Sequence, residues 1–245
     1  MRINIKNFKD VVTKATLNLG IETLQLRFSD RIQCNSLNGN NTSISILNVE
    51  NNVLDTNEEL VFNFGDPSNN LIPFIALFDN EEVELSLTDM FMKFRDGEQN
   101  IKVGFCSSAA VKRLGSNDVQ NVDWFFEMKI DQEFIDKFEK IKKIGSRFGK
   151  VYFGVHNNKM YIETSDKTNR YSNDVNFELD DIEMENISLA YVYNDMVNFF
   201  HCIEMDIDKN FTLKIAYQED QGLGCIYAFS ENNEEKYSLI SRENL

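Results

Sequence analysis

The sequence predicts an α+β protein made of two tandem domains, each with antiparallel sheets and two helices. Most of the chain consists of short segments in which apolar and polar residues alternate, which is typical of strands with one buried face. Two longer segments instead have the apolar spacing of amphipathic helices. The same order of strands and helices occurs twice, displaced by roughly 125–129 residues. A tandem duplication of one fold explains this order.

The composition supports a folded chain with a substantial core. Of the 245 residues, 42% are hydrophobic and twenty are Phe, which is more than a disordered chain contains. No stretch approaches the ~18 consecutive apolar residues of a membrane span, and the first residues lack the apolar region of a signal peptide. We therefore expect a cytoplasmic protein without membrane contact, located in the host cytoplasm if the protein is viral.

Seven segments in the first half of the chain have the two-residue period of strands. They are residues 23–29, 31–37, 42–49, 59–65, 83–87, 90–95 and 101–106. The sequences between them, such as "NGNN", "GDPSNN" and "DGEQN", contain the Gly, Asn, Asp and Pro residues that favour chain reversal. This pattern predicts antiparallel sheets, with a short helix-like run at residues 70–80.

Two segments break the two-residue period and predict amphipathic helices. The first covers residues 7–20 and is expected to end at Gly20. Its apolar residues, spaced as on one face of a helix, are Phe8, Val11, Val12, Ala15 and Leu19. The second covers residues 131–145, with Asp131 as its N-cap and Gly145 as its end. Its apolar stripe consists of Phe134, Phe138 and Ile141.

The second half of the chain repeats this order of elements. Strand patterns follow the second helix, a helix-like run covers residues 194–206, and three further strand patterns follow. The strand patterns lie at residues 151–165, 174–181, 189–193, 211–217, 224–230 and 236–241. A polar, Gly-containing segment separates the halves. We therefore expect one domain at residues 1–106, a connector at 107–123 and a second domain at 124–245.

Positive charge is concentrated in one segment of an otherwise acidic chain. With 40 acidic and 25 basic residues, the formal net charge is −15, so the surface as a whole is expected to repel phosphates. The segment "FIDKFEKIKKIGSRFGK" (134–150) is basic. On a helical wheel, Lys140, Lys143 and Arg147 project opposite the apolar stripe and Lys137 lies at its edge. We interpret these four residues as candidates for phosphate contact.

The first helix carries a weaker version of the same pattern. Lys6 and Lys14 flank its polar face, which they share with Asp10. Lys and Arg side chains that contact phosphates bind DNA without regard to sequence. Lys6 and Lys14 are therefore added to the candidate DNA-binding residues.

Taken together, these features resemble the DNA sliding clamps, which are processivity factors of DNA polymerases. The resemblance rests on the order of elements, the basic first helix of each half, the acidic whole and the long connector before the strand pattern "WFFEMKI" (124–130). It is closest to the clamps of T-even-type tailed phages. The resemblance implies a homotrimeric ring around duplex DNA, with helices lining the hole and sheets forming the outer wall. It also implies a protein that is not an enzyme, binds no cofactor, and has a replicative DNA polymerase and a clamp-loader ATPase as partners.

The resemblance also implies two protein-binding surfaces. Clamps receive short peptides of polymerases and loaders near the interdomain connector, where this chain offers Val111, Leu114, Val119 and Val122. In the ring, the segment at residues 101–106 is expected to pair antiparallel with residues 174–179 of the neighbouring subunit.

Other kinds of chemistry find little support in the sequence. Cys34, Cys106, Cys202 and Cys225 are far apart, which indicates neither a metal site nor a disulfide framework. His201 and Cys202 are adjacent on a predicted helix, where side chains point about 100° apart, so they are a poor nucleophile pair. Two alternatives to a clamp remain open: an acidic, β-rich viral structural or assembly protein without DNA binding, and a hydrolase that uses a pair of carboxylates.

Overall fold

Two units of mixed α and β structure make up the chain. A computed structural model describes residues 1–56, 58–114, 122–167, 173–218 and 222–241. The first unit comprises Met1–Ser116 with Glu234–Tyr237, and the second comprises Asn117–Asn233 with Ser238–Leu245. The main boundary, between residues 116 and 117, falls inside the segment 107–123. The finer limits of 1–106 and 124–245 stay a prediction.

The strands of the first unit are antiparallel and lie in two sets. One is the four-stranded sheet β1-β6-β7-β8, and in the other the neighbouring strands follow the order β5-β2-β3-β4. The strands are β1 (Arg2–Asn4), β2 (Thr23–Phe28), β3 (Arg31–Leu37), β4 (Ser43–Glu50), β5 (Leu60–Gly65), β6 (Glu82–Leu87), β7 (Phe91–Asp96) and β8 (Gln99–Gly104). All seven predicted strands are present with ends within two residues of the prediction, and the last is shifted by two residues to Gln99–Gly104. The short strand β1 is an addition, because three residues are too few to show a period.

Helix α1 (Ile5–Ala15) packs against both sheets of the first unit. The ring centroid of Phe8 lies 6.4 Å from that of Phe28 and 6.3 Å from those of Phe64 and Phe94. Phe28 and Phe64 belong to one sheet and Phe94 to the other, so one apolar stripe on α1 contributes to the cores of both. The side chain of Asn4 caps the helix by accepting a hydrogen bond from the backbone N–H of Asn7 at 2.9 Å.

The prediction that this helix extends to Gly20 is wrong. The Thr16 hydroxyl donates to the carbonyl of Val12 at 2.7 Å and accepts from the N–H of Leu19 at 3.1 Å. Residues 17–19 then have positive φ angles of 48°, 49° and 68°, which cannot continue a right-handed helix. Leu19 keeps the apolar spacing of the stripe, and that spacing misled the prediction.

Two short helices replace the single run predicted at residues 70–80. They are α2 (Pro67–Asn70) and α3 (Ile72–Ile75). Leu71, which separates them, has φ −129° and ψ −63°. Each helix has Pro in its first turn, where the missing N–H is tolerated. Pro73 could not be accommodated in the interior of one continuous helix.

The strands of the second unit are likewise antiparallel. One set is the four-stranded sheet β12-β11-β10-β13, and the other follows the order β16-β15-β14-β9, in which β16 begins in residues counted with the first unit. The strands are β9 (Trp124–Lys129), β10 (Lys150–His156), β11 (Lys159–Thr164), β12 (Val175–Asp181), β13 (Ile187–Val192), β14 (Thr212–Gln218), β15 (Leu223–Phe229) and β16 (Glu235–Ser241). The helices are α4 (Gln132–Gly145) and α5 (Tyr193–Glu204). The predicted order of elements in this half is confirmed.

Candidate nucleic-acid interface

Helix α4 is held to the second unit by its apolar stripe. Asp131 caps the helix by accepting from the N–H of Phe134 at 2.8 Å, as the sequence predicts. The rings of Phe134 and Phe138 lie 5.2 and 4.4 Å from the ring of Phe200 on α5. These contacts, together with the buried Ile141, fix which face of α4 is turned outward.

The outward face of α4 carries Lys140 and Lys143, and Arg147 follows in the turn after the helix ends at Gly145; all three are exposed. Lys143 and Arg147 form no ion pair with any residue that the structure describes. The Lys140 ammonium lies 5.7 Å from the ring centroid of Phe177 on β12, which leaves its charge unneutralised. The last turns of α4 and the turn after it thus offer three exposed cations to an external anion.

Other charged side chains of α4 pair with one another. Lys137 contacts Glu133 at 2.8 Å and Lys142 contacts Glu139 at 2.6 Å. Such exposed pairs add little stability, but they reduce the charge available to a ligand. Asp136 is exposed on the same side of the helix as Lys140. The strongest positive field therefore lies toward the C-terminal end of α4.

Close packing explains the glycine near the end of α4. A Cβ atom on Gly145 would lie 2.7 Å from the ring of Tyr193, which is too close for any other residue. The Tyr193 hydroxyl donates to the carbonyl of Lys142 at 2.7 Å, and burial raises the pKa of this tyrosine. The contact ties the last turn of α4, next to Lys143 and Arg147, to the start of α5.

Helix α1 offers a smaller cationic face than predicted. Lys6 is exposed, but the Lys14 side chain is only 12% exposed and pairs with the fully buried Glu235 at 3.3 Å. A lysine held in this way is not available to phosphate, so we remove Lys14 from the proposed DNA-facing set. Lys9, which the sequence interpretation missed, is exposed. Lys9 follows Lys6 by three residues, which places the two side chains about 60° apart on the helical wheel. This spacing in the sequence could have identified Lys9 as a second exposed cation of the helix.

The described part of the connector lies along the first unit. Ser36 of β3 and Arg113 form an isolated antiparallel bridge, and the N–H of Lys112 donates to Thr23 Oγ1 at 3.3 Å. Of the predicted peptide-binding residues here, Val111 and Leu114 are half-buried. A cleft of about 430 Å³ beside them is lined mainly by polar side chains of β2, β3 and β4 and by Arg113.

Two predicted peptide-binding residues remain, Val119 and Val122. Val122 is half-buried, and Val119 lies outside the described residues. Two residues after Val122, the ring of Trp124 stacks on that of Tyr227 with centroids 5.5 Å apart, and Tyr227 stacks on Phe229 at the same distance. All three rings are half-buried. The sequence interpretation did not find this aromatic row, because Trp124 comes from β9 and the other two rings come from β15.

Two of the cysteines are shielded from reactants. Cys202 is fully buried, and burial raises the pKa of the Cys34 thiol to about 12, so neither thiol is an accessible nucleophile. In the described ranges, no cluster of three or more His, Cys, Asp or Glu side chains is arranged to hold a metal ion. None of the described helices combines the length and the apolar character needed to cross a membrane.

Comparison with known proteins identifies the fold. No family profile and no curated protein matches the sequence, but solved structures do. A PCNA (proliferating cell nuclear antigen) from Thermococcus kodakaraensis is 11% identical with a TM-score of 0.65, covering 98% of both chains. A. fulgidus PCNA bound to the C-terminal region of FEN-1 is 14% identical with a TM-score of 0.63, covering 98% of this chain and 96% of that chain. The chain has the sliding-clamp fold.

The clamp fold also extends to a bacterial protein. The beta subunit of DNA polymerase from Streptococcus pyogenes is 11% identical with a TM-score of 0.63, and the match covers 99% of this chain and 64% of that one. The predicted fold class, an α+β clamp fold with antiparallel sheets, is therefore confirmed. At these identities the likeness establishes architecture alone, and function depends on the residues described above.

Proposed function

We propose that this protein is a sliding clamp that encircles duplex DNA and tethers a replicative polymerase without catalysing a reaction. The observation that carries the proposal is the exposed cationic face of α4 in a chain of net charge −15. Lys and Arg contacts to phosphates are indifferent to sequence, which is what movement along DNA requires. An acidic exterior, typified by residues 177–185, repels DNA and limits binding to the basic face.

The proposal includes assembly as a homotrimeric ring and a clamp-loader ATPase as partner. It also includes action in the cytoplasm and a closer relation to the clamps of T-even-type phages. Topological linkage, rather than contact strength, then holds the protein on DNA. Keeping the polymerase attached raises its effective concentration at the primer end. The DNA-facing residues are Lys6, Lys9, Lys137, Lys140, Lys143 and Arg147.

A test of this function measures retention on circular and linear duplex DNA. Protein loaded on a nicked circle is expected to stay bound until the circle is cut, and to have a solution mass of about three times 28.5 kDa. Equal loss from circular and linear DNA would refute topological linkage. A stable acidic assembly with no DNA retention would favour the viral structural alternative.

Strand pairing between subunits leads to a prediction about assembly. Within the described residues, β8 and β12 each pair with a neighbour on one side only, and such edges invite another strand. Val175→Pro at the start of β12 is expected to weaken the ring by removing a ladder donor. Sedimentation on dilution should show smaller species for this variant. Val175→Thr, which keeps the N–H and the β-branched shape, serves as control. If the proline variant keeps the mass of wild type on dilution, β12 does not form the contact between subunits.

Partner binding leads to a prediction about the connector. Leu114→Asp is expected to weaken binding of the C-terminal peptide of the cognate polymerase at least about tenfold, because apolar anchors dominate such contacts. Fluorescence anisotropy with the labelled peptide measures the loss. Trp124→Ala tests the aromatic row separately, and Val61→Asp, at an exposed apolar residue of β5, is the control. Binding unaffected by Leu114→Asp removes the connector from the site.

A further inference from the structure

Half of one exposed sheet face in the first unit carries only positive charge. In the sheet β1-β6-β7-β8, alternate residues such as Phe94 and Val103 are buried, so the residues between them form the opposite face. On β7 and β8 the charged residues of that face are Lys93, Arg95 and Lys102, which are all exposed. None of the three forms an ion pair with a described residue. We call these three residues the basic sheet face.

Two of these cations are neighbours across the strands, which is unfavourable in a sheet with nothing bound. Lys93 of β7 lies directly opposite Lys102 of β8, and like charges in this position destabilise a sheet. The Lys102 ammonium lies 3.7 Å from the ring centroid of Phe91. Arg95 follows Lys93 by two residues and therefore lies on the same face. An anion bound over Lys93 would relieve the repulsion between the two lysines.

The other half of this sheet face contains carboxylates and contributes to a cleft. Glu84 of β6 lies opposite both Arg95 and Arg2, and Glu82 is exposed on the same strand. A cleft of about 580 Å³ has among its lining residues Arg2, Asp55, Glu84, Ser86, Lys93 and Arg95. The positive field is therefore strongest over β7 and β8, beside this cleft, and does not extend over the whole sheet.

The basic sheet face is turned away from the helix that carries the proposed DNA contacts of the first unit. Phe94, on the other face of β7, packs on Phe8 of α1 with ring centroids 6.3 Å apart. The sheet therefore lies between the basic sheet face and α1, which carries Lys6 and Lys9. A duplex that contacts α1 in the proposed clamp does not reach the basic sheet face.

The chemistry of this face suits carboxylates on an extended polypeptide. Side chains two residues apart in a strand are separated by about 7 Å. An extended segment with acidic residues at alternate positions has the same repeat, so it can place one carboxylate at Lys93 and the next at Arg95. The Arg95 guanidinium can hold a carboxylate through two parallel hydrogen bonds. Ser86 and Asn100 lie opposite these two cations and can hydrogen-bond to the intervening peptide groups.

A nucleic acid suits this face less well than a polypeptide does. Proteins bind single strands with basic grooves that also offer aromatic rings on which bases stack. Phe91 is the one aromatic residue on this face of the described strands, and the Lys102 ammonium lies over its ring. Glu82 and Glu84 on β6 also interrupt the positive field, which opposes the approach of a continuous polyanion.

We infer that the basic sheet face binds an acidic, extended segment of a partner protein, with Lys93 and Arg95 as the main contacts. In a chain of net charge −15, most of the surface repels such a segment, so charge directs it to this face. Binding here is separate from the proposed clamp function and does not depend on DNA. The cations of α4 and the turn after it form the competing surface, and an experiment must separate the two.

Two synthetic peptides test whether the protein recognises acidic side chains. The probe is a short labelled peptide in which Glu alternates with Ser, and the matched control peptide has Gln at every Glu position. At about 0.05 M salt, wild type is expected to bind the Glu peptide at least about tenfold more tightly, and this preference should shrink at about 0.5 M salt. Fluorescence anisotropy measures both affinities. Equal binding of the two peptides at low salt would overturn the inference.

Two variants locate the surface that binds the Glu peptide. Lys93→Glu/Arg95→Gln changes the charge by three and is expected to weaken binding at least about tenfold. Reversal of Lys140, Lys143 and Arg147 to Glu changes the charge by six. It is expected to weaken binding less than about threefold, because cations that do not contact the peptide contribute only a screened attraction. If instead the α4 variant loses the peptide and the sheet variant keeps it, the inference is wrong.

Stability and competition distinguish binding from a structural role and from a nucleic-acid site. Lys93→Glu alone replaces a like-charge pair with an opposite pair beside Lys102, so the midpoint of urea denaturation should stay equal or rise while peptide binding falls. A lower midpoint would assign Lys93 to the fold and contradict the inference. Displacement of the Glu peptide from the α4 variant by a single-stranded oligothymidylate of equal charge would assign the face to nucleic acid instead.

Discussion

Reversing Lys140, Lys143 and Arg147 to Glu is expected to abolish loading onto nicked circular DNA while the second unit stays folded. Each substitution changes the charge by two, so the basic surface of α4 and the turn after it changes by six charges per chain. The apolar stripe that packs on Phe200 is untouched. Because electrostatic contact to phosphates supplies sequence-independent binding, we expect retained protein to fall at least about tenfold at low salt. Loading and polymerase stimulation should be measured at low and moderate salt after circular dichroism has confirmed the fold.

A matched control separates a local effect from a change in total charge. Arg2, Arg95 and Lys129 are exposed cations outside the helices, and their reversal to Glu produces the same change of six charges per chain. This control variant is expected to load nearly as wild type does. Single Ala substitutions on α4 should have small effects, because contacts across a hydrated hole are loose and partly water-mediated. Full loading of the α4 triple variant would show that its cationic face is merely solvated.

Glu235→Gln is expected to lower the free energy of unfolding by about 3 kcal/mol or more. Glu235 is fully buried, pairs with Lys14 at 3.3 Å and accepts from the Tyr237 hydroxyl at 2.9 Å. The substitution removes the negative charge that faces the Lys14 ammonium, and the Lys14 side chain is only 12% exposed. Removing one partner of a buried ion pair destabilises the folded state. Urea denaturation followed by circular dichroism measures the change.

The double variant Lys14→Met/Glu235→Gln distinguishes a buried pair from a surface one. It removes both charges and keeps an amide oxygen that can accept from Tyr237, so we expect it to regain most of the lost stability. DNA retention by this stable double variant is expected to match wild type, because Lys14 does not face phosphate in the proposal. Retention lost in the double variant would return Lys14 to the DNA-binding set.

The sequence by itself determined the elements whose signals are local. The limits of α4 follow from Asp131 as N-cap and from the spacing of Phe134, Phe138 and Ile141, and the structure has the helix at Gln132–Gly145. The strand at residues 31–37 was predicted without error, because alternation along one strand directly reports which face is buried. The cationic face of α4 was also predictable, since helical spacing fixes which side chains point away from an apolar stripe.

Only the tertiary structure decided which charges remain free and where remote residues meet. Lys14 has the same helical spacing as a surface lysine, and its partner Glu235 is 221 residues away in the chain. Trp124 of β9 likewise stacks on Tyr227 of β15, and no periodicity reveals a contact between two remote strands. Local periodicity records neighbours three or four residues apart in a helix and two apart in a strand. Contacts between remote segments depend instead on how the sheets and helices pack.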